Sequence, residues 1–176
     1  MAIAIGQKAP AFSGRAYIQG TTKDIKLDDY KGKWVVLFFY PLAFTSVCST
    51  ELPGFQEKLA EFEKLGAVVI GCSVDSVPAL KAWVESGQLP GGMKKIDYAL
   101  LGDLTKNVAR DYNVLNEQTG FSVRGTFIIN PEGMLMQYSV NSTPIGRDVD
   151  SVLRELAALA TGKACPANWQ SGQPTM

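Results

Sequence analysis

The chain has 176 residues, 46% hydrophobic and 19% charged, with seventeen basic side chains balanced by seventeen acidic ones. This composition excludes disorder over the whole length, and a net charge of zero argues against a whole-domain electrostatic grip on nucleic acid. Histidine is absent, which removes every nucleophile–imidazole pair and every histidine-ligated zinc site, leaving Cys, Lys, Asp, Glu or the substrate to move protons near neutral pH.

The opening segment, MAIAIGQKAPAF, shows no basic stretch followed by a long apolar run, so no leader is expected. Residues 22–26 suit a short strand and 27–32 a turn. Residues 34–40, WVVLFFY, are aromatic and β-branched without alternation and predict a strand buried on both faces. At seven residues this longest apolar run is far too short to span a bilayer. Pro41 stops it, and 42–47 read as a loop. Leu52, Phe55, Leu59 and Phe62 then repeat along one helical face, with Gly66 as terminator. Residues 67–74 predict a second buried strand, Pro78 with 79–86 a helix carrying proline in its first turn, and 87–95 a glycine-rich loop.

A short strand over 98–101 and a short helix over 105–112 follow. Residues 125–130 and 134–140 form a hairpin around the turn 131–133. Residues 148–160 give the clearest helix, with an apolar stripe of Val149, Val152, Leu153, Leu156, Leu159 and Ala160 and Gly162 beyond its end. This alternation predicts an α/β domain with a mixed sheet over residues 1–162. Residues 163–176 form a tail without helix or strand signal, in which Trp169 is expected to act as an anchor.

The three cysteines are an odd number, so an intrachain disulfide framework would leave one unpaired. Without a leader they read as catalytic, redox-active or buried. Cys72, inside the strand AVVIGCSV, reads as core, as do Trp34 and Trp83. Cys48 falls in the expected first turn of an amphipathic helix, facing unsatisfied N–H groups and the positive end of the helix dipole, which favour a thiolate. A helix end contributes about 0.3–1 kcal/mol at an exposed site, less than one pKa unit at about 1.4 kcal/mol. Strong activation therefore asks for a nearby cation, best an arginine that cannot lose its proton.

Pro41, Thr45 and Cys48 make Pro-x-x-x-Thr-x-x-Cys, with Glu51 three residues on. This resembles the peroxidatic signature of the peroxiredoxin family. Ala164-Cys165-Pro166-Ala167-Asn168-Trp169 resembles the resolving-cysteine segment of its typical two-cysteine, AhpC-like branch, and 124–130, RGTFIIN, the strand carrying the family's active-site arginine. Residues 71–76 and 144–147 also resemble family segments, so the likeness runs from about Gly6 to Trp169.

The resemblance implies a thioredoxin-like fold and a thiol peroxidase without cofactor or metal. Cys48 would attack a peroxide and become a sulfenic acid. Thr45 would hold the peroxide through a hydroxyl that both donates and accepts. Arg124 would stabilise thiolate and leaving oxygen, Pro41 would shield the sulfur from water, and Glu51 with Arg147 would orient Arg124. Cys165 would close a disulfide with Cys48 between two subunits of a homodimer, the first turn of the Cys48 helix unwinding to allow it. A thioredoxin-like or AhpF-like dithiol would reduce that bond. The resemblance further implies a cytoplasmic protein, a possible decamer of five dimers, and no nucleic-acid or membrane partner.

Three positions depart from the family pattern. Ala43 stands where many AhpC-like enzymes have an acid, Ser46 where they have an aromatic, and Ser49 where they have proline. Ser49 adds an N–H and a hydroxyl to the helix's first turn. The tail stops seven residues after Trp169, so Cys48 is expected to resist overoxidation to sulfinic acid. Competing readings are an oxidation-triggered chaperone, a disulfide reductase, for which no second cysteine stands at the usual spacing from Cys48, and a peroxide sensor that relays disulfides.

Overall fold

The computed structural model describes residues 3–176. Among these residues nine strands and four α-helices follow in chain order. They are β1 (Ser13–Ile18), β2 (Thr21–Lys26), β3 (Trp34–Phe39), α1 (Ser46–Lys64), β4 (Ala67–Ser73), α2 (Val77–Glu85), β5 (Ala99–Gly102), α3 (Asn107–Asp111), β6 (Leu115–Asn116), β7 (Phe121–Ser122), β8 (Arg124–Ile129), β9 (Leu135–Asn141) and α4 (Val149–Ala160). Short 3-10 turns occupy Leu27–Tyr30 and Pro90–Gly92.

Seven strands form one sheet in the order β2-β1-β5-β4-β3-β8-β9, and β6 and β7 form a separate pair. The crossovers through α1 and α2 make β3, β4 and β5 parallel, while the contacts of β8 with β3 and β9, and of β1 with β5 and β2, are antiparallel. The mixed sheet is thus the expected one. The apolar runs occupy its centre, where β3 lies between β4 and β8 and carries Val35–Phe39 at 1% exposure or less.

Each face of the sheet has its own core. Phe38, Tyr40, Leu52, Phe55, Phe62, Trp83 and Leu156 pack on the side of α1, α2 and α4. Leu37, Phe39, Ile70, Cys72, Tyr112 and Phe127 pack on the other. Gly71 on β4 makes room for its neighbour on β3, since a Cβ there would lie 2.9 Å from the Phe38 ring. That ring stacks on Phe55 with centroids 4.1 Å apart.

Several boundaries differ from the sequence reading. β1 was not anticipated, because SGRAYI buries only Ala16 and Tyr17 fully and carries little alternation. The hairpin connection runs from Asn130 to Met134, longer than three residues, with a register shift between Ile128 and Ile129. In α4, Ala157 is buried and Ala160 is exposed, so the buried stripe ends before Ala160 and includes Ala157 instead. Trp34 is only half-buried, while Trp83 is fully buried.

Candidate active site

β3 delivers the chain into a tight loop through buried Tyr40 and Pro41. Phe44 turns the loop with a φ of +60°, unusual for a residue with a side chain, and its ring leans on Trp83 at 6.1 Å. The Ala43 amide donates to Asp75 Oδ2 at 2.8 Å, and the Ser73 hydroxyl donates to the same oxygen at 2.8 Å. A carboxylate just past β4 therefore pins the loop that follows its sheet neighbour β3.

Thr45 is the extended N-cap residue of α1. Its hydroxyl donates to the Leu42 carbonyl at 2.8 Å. That commits its proton and leaves its lone pairs to accept, so the expected donor role toward a substrate is not available in this conformation. Cys48 is the third residue of α1 and is completely buried.

Arg124, the first residue of β8, supplies the cation that the helix end lacks. Its Nη1 donates to Cys48 Sγ at 3.3 Å and to Glu51 Oε2 at 2.6 Å, and its Nε donates to the Thr143 carbonyl at 2.7 Å. Glu51 Oε1 accepts from Arg147 Nη1 at 2.7 Å and from the Arg147 amide at 3.1 Å. Arg147 also donates to the Thr126 hydroxyl and to the carbonyls of Phe39 and Gly125. Its guanidinium lies 5.3 Å over the Phe38 ring.

The side chains of Glu51, Arg124 and Arg147 are only 2–3% exposed. Such a buried cluster holds together only when every charge is paired and hydrogen-bonded. Two guanidiniums face one carboxylate, and a Cys48 thiolate brings the group to neutrality. Burial pushes the Arg147 guanidinium down from its ordinary value while Glu51 pulls it back. An arginine starts high enough to stay charged. Burial pushes the Tyr40 phenol well up, with Asp75, Cys72 and Cys48 adding to the effect, so Tyr40 stays protonated beside the cluster.

Cys165 is elsewhere. Its sulfur lies 3.6 Å from the Thr161 hydroxyl and 3.9 Å from the Ala158 carbonyl, at the C-terminal end of α4. It opens onto a recess of about 410 Å³ bordered by Met136, Leu159 and Lys163. Arg147 sits just before the opposite end of α4, and the twelve residues of that helix span about 18 Å. All three cysteines are free. Trp169 is buried, and its indole N–H donates to the Gln173 carbonyl at 3.0 Å, folding the tail back on itself. Among the described residues no cluster of three or more Cys, Asp or Glu converges as a metal site.

The structure thus gathers Cys48, Glu51, Arg124 and Arg147 beneath the loop carrying Pro41 and Thr45, and leaves Cys165 apart. Asp75, Thr126 and Thr143 also build the site, and sequence reasoning gave them no role. Asp75 lies inside the noted 71–76 segment and was visible as a motif member. Thr143 acts through its carbonyl, which leaves no side-chain signal.

Residues 5–138 match the family model described as the AhpC/TSA family, and residues 157–176 match that of the C-terminal domain of 1-Cys peroxiredoxin. The chain belongs to the AhpC/TSA family of peroxiredoxins. It is 51% identical over 172 residues to Peroxiredoxin 2 of Drosophila melanogaster, covering 96% of this chain and 89% of that one. It is 46% identical over 177 residues to the mitochondrial thioredoxin-dependent peroxide reductase of Homo sapiens, covering 98% of this chain and 69% of that one. Among solved structures, the reduced 2-Cys peroxiredoxin of Plasmodium vivax superposes with a TM-score of 0.91 at 35% identity, over 99% of this chain and 93% of that one. The fold of this AhpC/TSA chain is accordingly thioredoxin-like, with its mixed sheet between helices.

Proposed function

We propose that this peroxiredoxin is a thiol-dependent peroxidase acting on hydrogen peroxide and organic hydroperoxides, with Cys48 as nucleophile. The observation that carries the reading is the 3.3 Å contact of Arg124 Nη1 with a fully buried Cys48 Sγ at a helix N-terminus. The Cys48 thiolate attacks the terminal peroxide oxygen. The O–O bond breaks, the peroxide's own proton passes to the leaving oxygen, which departs as water or alcohol, and Cys48 is left as sulfenate, the base form of the sulfenic acid. Thr45 accepts the peroxide O–H, and Arg124 meets the charge that grows on the leaving oxygen. Pro41 keeps bulk water from the sulfur. Glu51 holds the Arg124 fork, and Arg147 holds Glu51.

Resolution then falls to Cys165. Its thiol attacks the sulfenic sulfur, an S–S bond forms, the S–O bond breaks, and water leaves. A disulfide needs Cα atoms within about 7 Å, so a separation near the length of α4 favours the Cys165 of a second copy over that of the same chain. The outer edge of β9 beyond Leu135, with Tyr138 and Val140 exposed, supports a homodimer joined there, and five such dimers would make a decamer. A thioredoxin-like or AhpF-like dithiol returns both cysteines to thiols by exchange. A cycle that must return both cysteines to thiols suits a reducing compartment such as the cytoplasm.

The test is one equivalent of hydrogen peroxide, followed by a non-reducing gel and intact mass, on wild type and Cys165→Ser. A dimer-mass band that requires Cys165 supports the cycle across subunits. A monomer lighter by two hydrogens places the bond within one chain. Unmodified thiols after minutes overturn the peroxidase reading.

A further inference from the structure

The first turn of α1 must do two opposed things if the proposed cycle holds, and this inference rests on that reading. Closed, it keeps Cys48 beside Arg124. Open, it lets the sulfenic acid reach another cysteine. The bonds around Ser49 bear on that balance.

The Ser49 amide donates to the Thr45 carbonyl at 3.0 Å, and the Ser49 hydroxyl donates to the same carbonyl at 2.8 Å. Both bonds have ordinary lengths, so the hydroxyl does not displace the amide. A carbonyl oxygen has lone pairs for both. On its other side Ser49 is weakly coupled to the helix. Residue 53, four positions on, is proline inside α1. Its nitrogen carries no hydrogen and cannot supply the helical bond to the Ser49 carbonyl. Ser49 is thus fastened backward to Thr45 and not forward to Pro53. Thr45 is held from its other side by the hydroxyl bond to Leu42.

We propose that the Ser49 hydroxyl is a latch on the turn that carries Cys48, a positioning group that fixes Thr45 and holds the closed state. Releasing it opens the turn without disturbing Glu51, which the two arginines keep in place. A net hydrogen bond of this kind shifts a closed-to-open ratio by roughly fivefold. The chemical consequence is a partition. A closed sulfenic acid stays where a second peroxide can add an oxygen to sulfur, giving sulfinate and water or alcohol. An opened one meets a thiol and loses water as the disulfide forms.

Serine itself is a poorer helix former than alanine, so an alanine variant would mix propensity with the lost bond. Ser49→Thr and Ser49→Val avoid this, being alike in shape and both β-branched while only one keeps the hydroxyl. Hydrogen–deuterium exchange across residues 45–49 is measured on both reduced proteins, together with sulfinate formed per turnover during stepped peroxide addition. The expected result is roughly fivefold faster exchange in Ser49→Val than in Ser49→Thr, confined to this turn, and a sulfinate yield lower by a similar factor. Equal exchange, slower exchange in Ser49→Val, or an increase shared with α4 overturns the latch. The exchange arm needs no turnover. If wild-type Cys48 fails to oxidise while the exchange difference stands, the peroxidase reading has failed and the latch has not.

Discussion

Cys48 and Cys72 are both completely buried, and they serve the two cores on opposite faces of one sheet. What differs is what surrounds each sulfur. Cys72 stands near the C-terminal end of the parallel strand β4, where burial pushes its thiol well above the ordinary range and the charge of Asp103 pushes the same way. Cys48 stands at the start of a helix and meets Arg124 Nη1 at 3.3 Å, inside a cluster of one carboxylate and two guanidiniums. Burial alone makes a cysteine inert. Burial beside a fixed, paired cation keeps water out while giving a thiolate a partner. Access to solvent therefore does not separate the reactive sulfur from the structural one here.

The largest expected effect tests that contrast directly. Cys48→Ser should reduce peroxide consumption with a thioredoxin system to background, because the hydroxyl that replaces the thiol is a far weaker nucleophile at neutral pH. Cys72→Ser should leave the rate per folded molecule within about twofold of wild type. It should instead lower unfolding free energy by about 1–3 kcal/mol, the cost of burying a poorly partnered hydroxyl, measured by urea titration. A loss of turnover in Cys72→Ser at full folding would break the comparison.

Next in size are changes to the charges around Cys48. Glu51→Gln keeps the shape and removes the one anion shared by two buried guanidiniums. Breaking such a pair from one side costs about 3–5 kcal/mol, so the urea midpoint should fall further than in Cys72→Ser. Arg124→Lys keeps a charge but not the fork that reaches Cys48, Glu51 and the Thr143 carbonyl together. A drop of about 100-fold in the rate of peroxide consumption, of the size seen when one fixed donor to a developing charge is lost, is expected in stopped-flow measurements. A near wild-type rate would mean that any cation suffices there.

Much of this arrangement was legible in the residues. The uninterrupted apolar runs marked β3 and β4 because strands buried on both faces have no polar side to alternate with. The Pro41–Thr45–Cys48 spacing marked the loop and helix start because it spans a strand end and one helical turn. Arg147 was legible through the 144–147 segment, and although the dipole disfavours a cation near a helix start, Glu51 is the partner that holds it there. The rest was hidden for physical reasons. β6 and β7 are two residues each, too short for any period. The Thr143, Phe39 and Gly125 carbonyls that hold the two arginines belong to the backbone, which every sequence shares. The Thr45 hydroxyl looked free to serve a peroxide both ways, and only the folded loop shows its proton given to Leu42.

The smallest expected effect concerns the third cysteine, which shares neither environment. Cys165 is half-buried and depends on a tail with no strand or helix hydrogen bonds of its own. Trp169 is that tail's one deeply buried side chain. In an ordinary core, Trp→Ala costs about 3–5 kcal/mol. Here most of that loss should stay local, because segments with few buried contacts open independently of the global transition. Trp169→Ala should therefore leave the urea midpoint of the sheet nearly unchanged and speed maleimide labelling of Cys165 by roughly tenfold, with Cys72 unlabelled throughout. A large fall in the midpoint would make the tail an integral part of the core on the α4 face. Cys165 would then be held by the same cooperative unit as Cys48, and could reach another sulfur only when that unit opens.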